Sequence, residues 1–319
     1  MKPKVVVYKK MNAGVLDFLR ETCEVVYFEG LNAENYRDFL DELKEARGLL
    51  GSGLAVDREL LDHAPQLEVV SNASVGYDNF DIPLLKERGI VATNTPGVLN
   101  ETVADTILGL ILATARRIPE LDQFVKAGQW ATVLPEEQFG VDVHHKVLGI
   151  IGMGGVGTAV AKRANLGFGM PILYHNRTRN EEAEKLYGAT YCTLEELLAG
   201  SDYVCLMTPL NPETEKMIGK REFALMKKTG IFINASRGKV IDEAALIEAL
   251  ENKEILAAGL DVFAQEPVEP DNPLLSMKNV VTLPHVGSAT SETRIKMARL
   301  AAENLIAGLR GGIPPNVIH

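Results

Sequence analysis

Val147-Leu148-Gly149-Ile150-Ile151-Gly152-Met153-Gly154-Gly155-Val156-Gly157-Thr158-Ala159-Val160-Ala161-Lys162-Arg163-Ala164 reads as strand, turn and helix without a break. A β-branched apolar run enters a glycine cluster, and an amphipathic small-residue stretch leaves it. Gly152, Gly154 and Gly157 fall in the G-x-G-x-x-G pattern, with Met153, Gly155 and Val156 between them. The first glycine permits the tight turn, the second lets a pyrophosphate approach the backbone, and the third lets helix pack on strand. The helix N-terminus adds unpaired N–H groups and a dipole that favours an anion. Glycine suits any tight turn, so the flanking strand and helix carry the weight. The stretch predicts a dinucleotide-binding βαβ unit.

About 20 residues past the last glycine, an NAD-binding unit ordinarily carries an Asp or Glu for the ribose hydroxyls. Here Tyr174-His175-Asn176-Arg177-Thr178-Arg179 stands instead, with no acid and two arginines. A carboxylate would repel a 2′-phosphate, whereas the planar guanidinium fork pairs with it. Asn176, Arg177, Thr178 and Arg179 therefore predict NADP(H) as the preferred cofactor, with NAD(H) possible. The alternative is that both arginines are solvated loop charges. His175 reads as a bystander.

The same alternation runs along the rest of the chain. Strands are predicted at Val5–Tyr8, Val25–Phe28, Gly48–Gly51, Leu67–Ser71 and Ile90–Thr93, with helices between them. After a long apolar helix from Asn100 and an irregular stretch at 128–146, the alternation restarts at Val147 and ends in a helix over Ser291–Leu309. Such βαβ succession predicts an α/β fold with mainly parallel sheets. Two Rossmann-like or flavodoxin-like domains are expected. Residues 1–99 and 287–319 form a substrate-binding domain, into which a cofactor domain over 100–286 is inserted, and two chain crossings suit closure on substrate.

Composition agrees. At roughly 150 residues per domain, 319 residues make about two domains. Lys plus Arg number 33 against 43 Asp plus Glu, for a net charge of −10. An acidic chain without a basic block excludes nucleic acid and anionic membranes as partners by general electrostatics. The most apolar stretch, Ala104–Ala115, contains Asp105 and falls short of the ~18–20 residues of a spanning helix. Met1-Lys2-Pro3-Lys4 leads straight into a strand-like run with no signal-peptide pattern, so a cytoplasmic protein is expected. Cys23, Cys192 and Cys205 are scattered and odd in number, which suggests buried thiols in a reducing compartment. Trp130, the one tryptophan, is either buried or an interface anchor.

Three later strand ends carry polar residues where an apolar sheet would simply turn. They are Asn234-Ala235-Ser236-Arg237-Gly238, Leu260-Asp261-Val262-Phe263-Ala264-Gln265-Glu266-Pro267 and Pro284-His285-Val286-Gly287-Ser288. Carboxyl ends of strands line the ligand crevice of an open α/β sheet. In order and context these segments, with the glycine turn, resemble the D-isomer-specific 2-hydroxyacid dehydrogenases over nearly the whole length. Within that family the chain is most similar to the glyoxylate/hydroxypyruvate reductases and 2-ketogluconate reductases, through Leu173–Thr178 and Asn72–Asn79.

The resemblance implies NADPH-dependent reduction of a small 2-oxoacid (glyoxylate, hydroxypyruvate or 2-ketogluconate) to a D-2-hydroxyacid, with Arg237, Glu266 and His285 catalytic. The residue types suit those roles. A planar Arg bridges the carboxylate and ketone of a 2-oxoacid. His donates a proton near neutral pH, and a carboxylate on its other ring nitrogen fixes the tautomer and favours imidazolium. The resemblance places Thr106, Thr208, Pro209, Ala235, Ser236, Asp261, His285 and Gly287 beside the cofactor, Asp261 at its nicotinamide end. It places Gly53, Leu54, Val75 and Gly76 with Arg237 and His285 at the substrate, where glycine-rich loops offer backbone N–H groups. It also implies a homodimer and no metal. His63, His144, His145 and His319 lack such context and read as structural. Two alternatives stand: an NAD-dependent relative such as phosphoglycerate dehydrogenase, against which the absence of a regulatory extension and the acid-free loop speak, and a cofactor-sensing scaffold of the same fold.

Overall fold

The computed structural model describes residues 2–318. They form two compact units, one ending at Leu99 and resumed from Ala289, the other Asn100–Ser288.

The first unit alternates β1 (Lys4–Val7), α1 (Ala13–Thr22), β2 (Glu24–Tyr27), α2 (Tyr36–Leu43), β3 (Gly48–Gly51), α3 (Arg58–Asp62), β4 (Val69–Asn72), α4 (Ile82–Glu87) and β5 (Val91–Thr93). Every strand pair is parallel, in the order β2-β1-β3-β4-β5, the flavodoxin-like arrangement. Helices on both faces require strands apolar throughout, and Val5, Val6, Val7, Leu49, Leu50, Val69 and Val70 are all buried. Helix starts are set by side-chain caps: Asn12, Asp57 and Asp81 accept the N–H of Gly14, Leu60 and Leu84.

The second unit opens with α5 (Asn100–Ala115) and α6 (Ile118–Lys126). It continues through β6 (Leu148–Ile151), α7 (Gly155–Phe168), β7 (Ile172–His175), α8 (Glu181–Tyr187), β8 (Thr190–Tyr191), α9 (Leu194–Gly200) and β9 (Tyr203–Leu206). It closes with α10 (Lys220–Leu225), β10 (Ile231–Asn234), α11 (Glu243–Glu251), β11 (Ala257–Leu260) and β12 (Val280–Thr282). Its parallel sheet runs β12-β11-β10-β9-β6-β7-β8, so the strand order reverses between β6 and β9. Ligands of doubly wound sheets bind at the carboxyl ends of the strands flanking such a switch point. Those ends carry Gly152 after β6 and Met207-Thr208 after β9.

The chain then returns to the first unit as α12 (Ser291–Leu309). Ala298, Ala301, Ala302 and Leu305 are buried against Val5, Val7 and Val69, and Ser71 donates to the Ala301 carbonyl at 2.8 Å. This last helix is part of the first unit's core.

Three features depart from the sequence reading. The edge strand β8, two residues long, pairs with β7 at Thr190 and Tyr191 and is too short to show a periodicity. Trp130 is not buried: it is 66% exposed, because the stretch around it has only one 3-10 turn (Glu136–Gln138) and no sheet face to pack on. Cys23 and Cys205 are buried, but Cys192 is only partly so. Burial pushes the Cys205 thiol up to about 12. Among the described residues no helix is long and apolar enough to cross a membrane.

Candidate active site

The turn after β6 has a steric reason at three of its four glycines. Gly152 has φ +103°, and a Cβ on it would lie 2.8 Å from the Met207 carbonyl carbon. A Cβ on Gly157 would lie 2.3 Å from the Gly152 oxygen, and one on Gly155 would lie 2.4 Å from Nδ2 of Asn100. At Gly154 the same position is open space. That opening lies at the start of the 14-residue α7, whose cap, Gly154 itself, supplies no side-chain acceptor. The first N–H groups of the helix thus face free space, as an anion site requires. The Thr208 hydroxyl, in the chain segment that Gly152 touches, is buried with no hydrogen-bond partner among the described residues. These features fit a dinucleotide pyrophosphate. Arg163 on α7 reaches Glu101 and Asp105 on α5, both at 2.7 Å, and ties the two helices together.

The loop after β7 is braced by side chains. Arg179 pairs with both oxygens of Glu184, at 3.0 and 2.6 Å, and stands 5.9 Å from the Tyr191 ring centroid. The Arg179 and Tyr174 hydrogen bonds hold the Glu184 carboxyl below the usual carboxylate range. Arg177 is exposed and forms no ion pair among the described residues, so the two arginines are not equivalent. Asn176 bonds within the loop to the Thr178 carbonyl, and His175 Nδ1 lies 3.1 Å from the Cys192 carbonyl.

At the end of β10, buried Asn234 accepts from the Ser236 N–H and hydroxyl, both at 3.0 Å, and donates to the Arg237 carbonyl at 3.1 Å. This folds Ala235, Ser236 and Arg237 into a tight turn. Gly238 follows by necessity, since a Cβ there would lie 1.9 Å from the Phe263 carbonyl carbon. The turn bearing Arg237 is thereby seated on the backbone of the loop bearing Glu266. In that loop Glu266 accepts the Phe263 N–H at 3.1 Å through Oε1, and its Oε2 lies 2.6 Å from Nδ1 of His285. Partial burial opposes ionisation of Glu266, but the bonds from His285 and Phe263, with the charges of His285 and Arg237, hold its carboxyl below the ordinary range. Nε2 of His285 has no hydrogen-bond partner among the described residues.

His285 adopts a left-handed backbone conformation, φ +54°, uncommon for a residue with a Cβ. Asp261, 1% exposed, holds the turn there. Its carbonyl accepts the His285 N–H at 2.9 Å, and its two carboxylate oxygens accept the N–H groups of Val286 (2.7 Å) and Gly287 (2.8 Å). Burial raises the Asp261 carboxyl above its usual range despite these two bonds. The expectation of a nicotinamide contact thus meets a carboxylate whose two oxygens already serve the turn. The Thr106 hydroxyl donates to the Gly287 carbonyl at 3.2 Å, and the Pro209 carbonyl accepts from Thr214 at 2.6 Å.

In the first unit, three asparagines brace the loops after β3 and β4. Asn79 donates to the Leu54 carbonyl (2.8 Å), Asn72 to that of Gly76 (2.7 Å) and Asn94 to that of Val75 (2.8 Å). Gly53 has φ +84°. With their carbonyls held, Val75 and Gly76 donate their N–H groups to no acceptor among the described residues. Sequence reasoning named these loops but missed the asparagines, along with Asn234 and Asn100. The available signal was an Asn at or just after a strand end, where its side chain replaces missing ladder partners.

His144 and His145 face one another with Nδ1 atoms 2.9 Å apart, and no group of three or more His, Cys, Asp or Glu among the described residues is arranged to hold a metal. His319 lies outside the described residues.

A switch-point anion site, an acid-free ribose loop and a His–carboxylate pair on neighbouring strand ends define an NAD(P)-dependent oxidoreductase. Residues 108–287 match the model of the D-isomer specific 2-hydroxyacid dehydrogenase NAD binding domain. The chain is 50% identical over 319 residues, all of its length and 99% of the relative's, to glyoxylate/hydroxypyruvate reductase B of Erwinia tasmaniensis. It is 52% identical to the Enterobacter protein of the same name, again over its full length and 98% of that relative. Among solved structures, an NADPH-dependent glyoxylate/hydroxypyruvate reductase of Sinorhizobium meliloti, complexed with NADP and malonate, superposes with a TM-score of 0.87 at 36% identity, over 100% of this chain and 97% of that one. A Thermus thermophilus protein gives 0.90 at 41%, over 99% and 100%. The chain belongs to the D-isomer-specific 2-hydroxyacid dehydrogenase family.

Proposed function

We propose that the protein reduces small 2-oxoacids with NADPH to D-2-hydroxyacids, glyoxylate and hydroxypyruvate first and 2-ketogluconate as a longer member of the class. The observation that carries this is the 2.6 Å pairing of His285 Nδ1 with Glu266, which leaves Nε2 open. A cofactor held at the glycine turn supplies the hydride. Arg237 binds the substrate carboxylate and ketone by parallel hydrogen bonds, polarising the carbonyl. His285 delivers the Nε2 proton to the substrate oxygen as negative charge develops there, and reclaims it in the oxidative direction. Glu266 fixes the Nδ1–H tautomer and stabilises the imidazolium. Asp261 sets the backbone from which His285 projects. To the substrate carboxylate we also assign the unengaged N–H groups of Val75 and Gly76, with Gly53 and Leu54 bordering them. Arg177, without an ion pair among the described residues while Arg179 is committed to Glu184, supports NADPH over NADH.

The exposed Trp130, Val133 and Phe139 support a second copy of the chain covering that segment, hence a homodimer, and the three unpaired thiols suit the cytoplasm. The test is kcat/KM for glyoxylate, hydroxypyruvate and 2-ketogluconate with NADPH and NADH. Absence of any 2-oxoacid-dependent loss of NADPH absorbance would leave a cofactor-sensing scaffold as the better account.

A further inference from the structure

Asn180 has every polar atom engaged, and its bonds join two parts of the cofactor site. Its side-chain nitrogen donates to the Met153 carbonyl, inside the glycine turn, and to the Thr158 hydroxyl on the first turn of α7, both at 3.1 Å. Its side-chain oxygen accepts the Ala183 N–H at 3.0 Å and caps α8. Its backbone N–H donates to the Tyr174 hydroxyl at 2.8 Å, and that hydroxyl donates to Glu184 at 2.5 Å. Glu184 holds Arg179, and the Tyr191 hydroxyl holds the Asn176 carbonyl at 3.1 Å. The loop that carries Arg177 is therefore fastened at both ends, and one fastening is to the phosphate-binding turn itself.

We propose that Asn180 is a positioning residue that fixes the distance between the pyrophosphate site at the glycine turn and the 2′-phosphate site at Arg177. The inference rests on the NADPH reading above and deepens it. A ligand with two anionic groups gains from both only when the two sites stand at its own spacing before it arrives. A wandering loop must be ordered at each binding event, and the second contact loses that ordering free energy. NADH, without the 2′-phosphate, draws on one anion site and is less sensitive to their spacing.

The side chain must be Asn because its two ends face opposite partners. An Asp would still cap α8 but would set an acceptor against the Met153 carbonyl. A Ser would still cap but is too short to span to the turn. Both variants keep the helix start and lose the bond to the Met153 carbonyl.

Isothermal titration of the cofactor-free protein with NADPH, NADH and 2′-AMP tests this for Asn180→Asp and Asn180→Ser. Loss of the hydrogen bond to the Met153 carbonyl is expected to raise the Kd for NADPH about tenfold and that for NADH less than about threefold. Binding of 2′-AMP, which engages the Arg177 site alone, should stay within about twofold and so also reports an intact loop. Equal weakening of NADPH and NADH, or no weakening of either, overturns the clamp. A wild type that binds NADH as tightly as NADPH overturns the cofactor reading instead, and is seen before any variant is made.

Discussion

Replacing Glu266 with Gln tests the proposed proton delivery most directly, because Gln is isosteric and the geometry says why it fails. Glu266 accepts two N–H donors, Phe263 through Oε1 and His285 Nδ1 through Oε2. Glutamine offers one acceptor and one donor. If its oxygen faces Phe263, its amide N–H₂ faces Nδ1 and strips that atom of its proton, so imidazolium is lost. If its oxygen faces His285, the amide opposes the Phe263 N–H. The first orientation removes the Nδ1 proton and the second sets donor against donor, and in both the compensating negative charge has gone. A charge-assisted hydrogen bond contributes ~1.5–3 kcal/mol. The side chains of His285 and Glu266 are 47% and 36% exposed, so solvent screening favours the lower half of that range. At ~1.4 kcal/mol per decade, kcat for 2-oxoacid reduction near neutral pH should fall roughly 10- to 30-fold.

The pH dependence distinguishes this cause from general damage. The Glu266 carboxyl is depressed below its ordinary value of 4.5, so its pairing with His285 is present above that value and lost only as pH falls below it. At neutral pH the wild type therefore keeps the negative partner. The Gln variant lacks that charge at every pH, so its deficit should persist at neutral pH and shrink as pH is taken below 4.5, where the wild type loses the charge too. Steady-state NADPH oxidation from neutral pH to below that value measures it, with KM for the 2-oxoacid expected to change less than about threefold. A kcat within about threefold of wild type at neutral pH, or a deficit independent of pH, would refute the reasoning.

Arg177→Asp should weaken NADPH binding by about tenfold or more and leave NADH favoured, read as the ratio of kcat/KM for the two cofactors. In Asp261→Asn one side-chain atom becomes a donor facing Val286 or Gly287. That should cost ~1–3 kcal/mol, seen in thermal unfolding, with a drop in kcat as the His285 turn loosens. Gly238→Ala has no room beside Phe263, and is expected to lose activity through displacement of the Arg237 turn while the glycine turn still binds NADPH in titration. Trp130→Lys places a charge on the exposed apolar segment and should shift the protein from dimer to monomer in light scattering.

The fold was largely legible because its signals are local and repeated. A strand buried on both faces must be apolar throughout, so runs such as Val5-Val6-Val7 and Leu148–Ile151 announce themselves, and the glycine turn has a steric reason at Gly152 and Gly157 and open space for a ligand at Gly154. The residues predicted for catalysis stood out because a charged side chain just past an apolar strand has no packing reason to be there. What escaped was the second layer: Asn72, Asn79, Asn94, Asn180 and Asn234. Each works through the direction of an amide, with donor and acceptor ends facing set partners, and a sequence states residue type but not orientation. The same limit separates Arg177 from Arg179. The two are alike as letters, yet the structure commits one to Glu184, five residues further along the chain, and leaves the other without an ion pair among the described residues.

Orientation also resolves the tension between a net charge of −10 and a protein whose expected ligands are anions. Formal charge counts side chains only. The proposed anion sites are built in large part from N–H groups, at the uncapped start of α7 and at Val75 and Gly76, whose carbonyls are held by asparagines. In the proposed reading, arginine enters where one defined group must be told apart from its absence: Arg177 for a 2′-phosphate, Arg237 for a carboxylate beside a ketone. Backbone dipoles bind a small anion only within about the first turn of a helix or the concavity of a loop. An acidic surface elsewhere does not disturb such sites, because at physiological salt charges more than about 8 Å away are largely screened. A net charge that speaks against polyanions as partners is thus compatible with selective binding of small anions, and the selectivity resides in where a few donors stand.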